Sequence, residues 1–165
     1  MEVDQDIYSN AAIMDESELQ QLCSRLGLEY NMIDLAELNS NPHFYTFIHT
    51  GNSSNTANSG LTKHWLAAYG PYIFDSYGKY NAWNIPSEYS FVETIPRALQ
   101  EYNTNVCGMY CAAYINFCAQ NNSDGTDDLG RDFCAEFDFG KNRELNDSII
   151  LSWYDNIMGK ETTDA

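Results

Sequence analysis

Basic residues are scarce in this chain of 165 residues: 8 Lys and Arg stand against 24 Asp and Glu, for a formal charge of −16. A field of that sign repels a polyanion, which argues against a protein that holds nucleic acid through its overall charge. Long apolar runs are lacking too. The longest stretch that is uncharged and mostly apolar, Val106 to Ala119, is too short to span a bilayer, so no membrane partner is expected. The first residues, Met-Glu-Val-Asp-Gln-Asp, carry acid where a secretory signal would carry base, and the expected location is the cytosol or nucleus. Cysteine is odd in number (Cys23, Cys107, Cys111, Cys118, Cys134), and the central spacing is not that of a zinc site. Neither a disulfide framework nor a metal or other cofactor is expected.

What is present is a globular composition. Apolar residues reach 44%, aromatics 14% and charged residues only 19%, which suits one domain with a real core and not an acidic tail. The charge is uneven. Residues 1–60 carry nine acids and one base, residues 119–165 eleven and four, and residues 61–118 only four and three. The near-neutral, aromatic middle is therefore where a buried working centre is expected, and the acidic flanks read as solvated surface. The expected organisation is an acidic N-terminal tail over 1–14, a single domain over 15–158 and a C-terminal tail over 159–165. No internal repeat occurs, and two polar stretches, Thr50 to Lys63 and Gln120 to Asp132, read as surface loops.

Hydrophobic spacing supplies the elements. Leu19, Leu22, Cys23 and Leu26 form one stripe at helical spacing, with acceptors at Asp15 and Glu18 and a stop at Gly27, which predicts a helix over 15–27. Phe44 to His49 reads as a strand. His64 to Tyr69 and Tyr72 to Asp75 read as a strand pair turned by Gly70-Pro71. An irregular aromatic stretch, Ser76 to Phe91, and a short extended segment lead toward Gln100. Val106 to Ala119 is apolar on nearly every face and reads as a central, buried helix. A last helix is expected to be capped by Asn146 or Asp147, with Ile149, Ile150, Trp153 and Ile157 inward. The predicted class is α+β: a small mixed or antiparallel sheet packed on a buried central helix, with helices at both chain ends.

Cys107 opens that buried helix, and Gly108 beside it lets a docking backbone come close. A thiol at a helix N-terminus feels the positive end of the dipole, which favours the nucleophilic thiolate. The plainer account, three small core cysteines on one helix, suffices for Cys111 and Cys118. For Cys107 it competes with three other residues. His64 opens a predicted strand and Asp75 closes the returning one, so antiparallel pairing brings them to one end, where a carboxylate can fix the imidazole tautomer. Gln100 is positioned to lend an amide N–H to an oxyanion beside the Cys107 backbone N–H. Trp65, next to His64, and Tyr77 are candidates for walls of a peptide cleft, with core packing as the alternative for each. His43 and His49 lie in no motif.

The stretch His64-Trp-Leu-Ala-Ala-Tyr…Tyr-Ile-Phe-Asp-Ser-Tyr-Gly…Gln100…Val-Cys107-Gly108-Met-Tyr-Cys resembles the adenovirus maturation protease (adenain) family. More distantly it is similar to the papain-like proteases that process SUMO and other ubiquitin-like proteins. The likeness extends from about residue 15 to 158. It implies a thiol endopeptidase with Cys107 as nucleophile, His64 as general base and then acid, Asp75 as the residue that orients His64, and Gln100 in the oxyanion hole. It also implies a narrow cleft for glycine-containing sites and a viral or virus-like enzyme that matures capsid precursors, acting in the host cytoplasm or nucleus and inside the virion. The chain departs from the adenovirus enzyme in having Asp75 where that enzyme has Glu, in a shorter His64–Asp75 connection, and in its acidity. No cysteine matches the one that joins the adenovirus activating peptide, so neither DNA nor an activating peptide is carried over. Two alternatives stay open: a protease or isopeptidase for ubiquitin-like modifiers, and a non-catalytic virion protein of the same fold.

Overall fold

A computed structural model of the chain describes residues 14–40, 43–50, 64–101, 106–121 and 127–159. The expected tails, apart from Met14 and Gly159, lie outside the described residues, as do 51–63 of the first polar stretch and 122–126 of the second. Among the described residues are four α-helices and one five-stranded mixed sheet, an α+β arrangement. None of those helices is long and apolar enough to cross a membrane.

Helix α1 (Glu16–Leu26) forms where its stripe and signals placed it. Asp15 accepts from the Glu18 N–H at 2.8 Å, and Glu18 returns the bond to the Asp15 N–H at 3.0 Å, closing a capping box. The sheet follows, in the order β1 (Met32–Asp34), β2 (Tyr45–His49), β3 (Trp65–Tyr69), β4 (Tyr72–Phe74) and β5 (Ser90–Phe91). The outer pairs, β1 with β2 and β4 with β5, are parallel; the inner pairs are antiparallel. Strand β1 and the 3₁₀ turn Leu35–Ser40 carry too few residues to show a period in the sequence, and tertiary pairing defines them.

All five residues of β3 are buried because the sheet is covered on both faces. Trp65, Ala67 and Tyr69, with Phe47 and Phe74, face the main core beneath helix α2 (Cys107–Asn121). Leu66, Ala68, Ile48 and Ile73 face a second cluster built with Leu35, Leu38, Ala82 and Trp83. A strand covered on both faces has no polar side to present, so it loses the alternation of a half-solvated strand. Helix α2 crosses β3 closely, and the Cys111 thiol donates to the Trp65 carbonyl at 3.3 Å. Gly108 permits this approach: a Cβ there would sit 3.3 Å from the Trp65 ring and 3.1 Å from the Met14 sulfur.

Two expectations need correction. Gln120 and Asn121 are not loop but the end of helix α2, and Gly130 to Asp132 are the start of helix α3 (Gly130–Phe137). Asp128 accepts the Gly130 N–H at 2.9 Å, and Phe133 is driven into the core, its ring edge-on to Phe74 and Tyr114. The last helix, α4 (Arg143–Met158), is capped by Asn142, which accepts the Leu145 N–H at 3.1 Å, and not by Asn146 or Asp147. Asn146 lies inside the helix because its fully buried amide has other partners. It donates to the carbonyls of Leu99 at 3.1 Å and Gly140 at 2.7 Å, and accepts the Gly140 N–H at 2.9 Å. Asp147 takes the Tyr110 hydroxyl at 2.8 Å and the Glu101 N–H at 3.3 Å. Helix α4 thus grips both neighbours of Gln100.

Asn146→Ala removes three hydrogen bonds of a fully buried amide, leaving the Leu99 carbonyl only the long bond from the Tyr110 hydroxyl at 3.4 Å, and is expected to lower unfolding stability by about 1–3 kcal/mol. Urea titration of the two proteins checks this; equal midpoints would mean that the amide contributes nothing.

Candidate active site

The Gly70-Pro71 turn returns β4 against β3, with Tyr69 opposite Tyr72 and Ala67 opposite Phe74. Continuing that register one step beyond each strand puts His64 and Asp75 at the same end. The His64 carbonyl is pinned from β2, accepting the Thr50 N–H at 3.0 Å and the Thr50 hydroxyl at 3.2 Å. The His64 Nε2 then lies 2.8 Å from Asp75 Oδ1, with both residues 1% exposed. An ionised carboxylate only accepts, so Nε2 carries the proton.

Asp75 is saturated by donors. Oδ1 also accepts the Tyr77 N–H at 2.9 Å, and Oδ2 accepts the Lys79 N–H and the Trp83 Nε1–H, both at 3.0 Å. Burial pushes its carboxyl up, but the bonds from His64, Trp83 and the Tyr77 N–H prevail and hold it below the usual carboxylate range. The turn that delivers the two backbone donors needs Gly78, whose φ is +67° and where a Cβ would come within 2.5 Å of the Arg97 carbonyl oxygen.

The imidazole is held flat as well. It lies nearly parallel to the rings of Tyr77, at 4.2 Å between centroids, and of Trp83, at 5.5 Å. Its second nitrogen, Nδ1, is buried and makes no hydrogen bond among the described residues. Burial alone would lower the His64 pKa. Charge on Cys107 and the bond to Asp75 outweigh it and raise the value to about 9. Cys107 is thus close enough to act on the ring. Cys107 is the first residue of α2 and is fully buried. Its backbone N–H belongs to the first turn, which has no intrahelical acceptor.

Gln100 is also fully buried and is tied to the segment that follows Asp75. Its N–H and that of Leu99 both donate to the Ser76 carbonyl, at 3.1 and 2.9 Å, and its side-chain Oε1 accepts the Ser76 hydroxyl. The structure therefore brings His64, Asp75 and Cys107 together and holds Gln100 one residue from Asp75. Trp65, Tyr77 and Gly108, expected along a cleft, are buried instead. Trp65 packs in the main core with its indole N–H on the Met14 carbonyl at 2.8 Å, Tyr77 covers the imidazole, and Gly108 lies against Met14 and Trp65.

The sequence reading missed Ser76 and Trp83. Ser76 was open to recognition as the next residue on the turn after Asp75. Trp83 stood in an irregular stretch with no period, and only the rule that a buried indole finds an acceptor marks it. No family model matches the sequence, and no curated protein matches it.

Asp75→Asn removes the negative partner of the imidazolium while keeping the shape. Burial then opposes the charged ring less contested, and the His64 pKa is expected to fall from about 9 by at least about one unit. Titration of the imidazole ¹⁵N resonances in both proteins measures it; an unchanged value would remove Asp75 from the account of His64.

Proposed function

We propose that this protein is a cysteine peptidase of the adenain type, with Cys107 as nucleophile, His64 as general base and acid, Asp75 as the residue that orients His64, and Gln100 as an oxyanion donor. The observation that carries the reading is the buried His64–Asp75 pair whose unpartnered Nδ1 and raised pKa go with a thiol at the head of a buried helix. A purely structural histidine is buried with both nitrogens satisfied. Here one edge of the ring is fully engaged and the other is kept for a proton that moves.

The chemistry follows from these positions. The Cys107 sulfur attacks the scissile carbonyl carbon, and negative charge develops on its oxygen, where the Cys107 N–H and the Gln100 amide are the donors. Nδ1 of the imidazolium delivers its proton to the departing amine as the C–N bond breaks, leaving a thioester on Cys107. Water then attacks the thioester, neutral His64 takes one of its protons, the C–S bond breaks, and the acid product leaves with the Cys107 thiolate and the imidazolium restored. Asp75 keeps its negative charge throughout and holds Nε2–H, as an orienting carboxylate does.

The substrates are polypeptides with glycine at the cleaved site, in this reading capsid precursors of a virus or virus-like element. Met14 and Trp65 lie against Gly108, the neighbour of Cys107. Complete burial of Cys107 adds that part of this covering must move before a peptide can reach the sulfur.

Limiting iodoacetamide near pH 6, followed by peptide mapping, tests the nucleophile. Burial pushes the thiols of Cys23 and Cys118 up to about 12 and that of Cys134 to about 11, and raises Cys111 well above its usual value. Labelling is expected at Cys107 alone and is expected to vanish in His64→Ala. Even labelling across the five cysteines, or labelling indifferent to His64, would refute the reading. With selective labelling in hand, glycine-containing capsid peptides and fusions ending in a ubiquitin-like modifier, each incubated with wild type and Cys107→Ser, identify the substrate class.

A further inference from the structure

Ser76 has no part in the chemistry just described, yet its hydroxyl is fully buried and spent on one acceptor, the Gln100 Oε1. Its carbonyl takes the N–H groups of Leu99 and Gln100. The backbone bonds alone hold the Gln100 Cα beside the turn. The hydroxyl adds a bond that they do not, to the side-chain amide itself, and in that bond the oxygen end of the amide faces Ser76. An amide carries an acceptor oxygen and a donor NH₂ on opposite sides of one carbon, and the two ends are nearly the same size. With the hydroxyl donating to Oε1, Nε2 lies on the side of the amide away from Ser76.

We propose that Ser76 is a positioning residue that fixes the Gln100 amide with its NH₂ end toward the oxygen of the scissile carbonyl. This rests on the peptidase reading above. In the opposite orientation an amide oxygen would meet a developing oxyanion, and attraction would become repulsion. Two consecutive residues of the turn after β4 then set the two halves of the centre. Asp75 orients the ring that moves the proton, and Ser76 orients the amide that meets the charge.

The two halves can be read separately. A peptide aldehyde ending in glycinal adds reversibly to a thiol: a C–S bond forms, the carbonyl π bond opens, and the thiol proton ends on the new oxygen. That oxygen sits where the oxyanion would. Alkylation by iodoacetamide displaces iodide and forms no such oxygen, so it reports sulfur and imidazole alone. Ser76→Ala is expected to weaken aldehyde binding by about 10–100-fold, somewhat less than outright loss of an oxyanion donor. The rate of Cys107 alkylation is expected to stay within about twofold of wild type. Gln100→Ala is expected to weaken the aldehyde at least as much, and Ser76→Ala/Gln100→Ala no further, because a positioning effect has nothing left to position. Ser76→Gly removes the same hydroxyl without added bulk and serves if Ser76→Ala does not fold.

Aldehyde affinity unchanged in the serine variants, a parallel loss of aldehyde binding and alkylation, or losses that add in the double variant would each overturn the role of Ser76. Wild-type protein that neither labels selectively at Cys107 nor binds the aldehyde would overturn the peptidase reading and this inference with it. Wild type that does both, beside serine variants that match it, would overturn this inference alone.

Discussion

A charged pair held out of water sits at the head of this structure: His64 and Asp75, 2.8 Å apart and each almost wholly buried. Desolvating two ions costs several kcal/mol apiece, and their mutual attraction recovers that only where geometry is good and the remaining lone pairs are satisfied. The surroundings meet those conditions. The hairpin register sets the separation, the Gly78 turn aims two backbone donors at the carboxylate, and Trp83 supplies a third. Thr50 fixes the backbone of His64 from the neighbouring strand. Much of the sheet's inner geometry is explained by the demand that this one pair be fully bonded.

One polar atom escapes that saturation. Nδ1 of His64 is buried without a geometrically aligned hydrogen bond, whereas the other buried side-chain polar atoms of the described residues find partners. An orphaned donor or acceptor destabilises the native state, so a fold that retains one beside a thiol gains nothing in stability from it. In the proposed chemistry this atom carries the proton that moves, which ties the electrostatics of the site to that reading.

The main core gives the site its rigidity. Helix α2 lies on a strand buried on both faces, so Cys107 starts from a position set by packing above and below. Helix α4, last in the chain, reaches back through Asn146 and Asp147 to the residues on either side of Gln100. Elements distant in sequence thus hold Gln100, while local turn chemistry holds His64.

Much of this was legible in the residues themselves. The Leu19–Leu22–Leu26 stripe with its Asp15 and Gly27 signals, the Gly70-Pro71 turn and the unbroken apolar run after Val106 are local patterns, and local patterns are what a sequence carries openly. The pairing of His64 with Asp75 was also within reach, because antiparallel register across a tight turn leaves little choice. Helix α3, the short parallel strands β1 and β5, and the true start of α4 were not, since each depends on a partner far along the chain. The cap of α4 shows the reason: Asn142 and Asn146 are both suitable capping residues, and only the buried carbonyl of Leu99 decides that Asn146 belongs inside. What the sequence by itself determined is the local chemistry of each element and the order of His64, Asp75, Gln100 and Cys107. Tertiary structure alone decided which donors saturate Asp75, that Trp65 and Tyr77 are buried, and that the Ser76 hydroxyl meets the Gln100 amide. Those choices are made by contacts between segments that no spacing along the chain encodes.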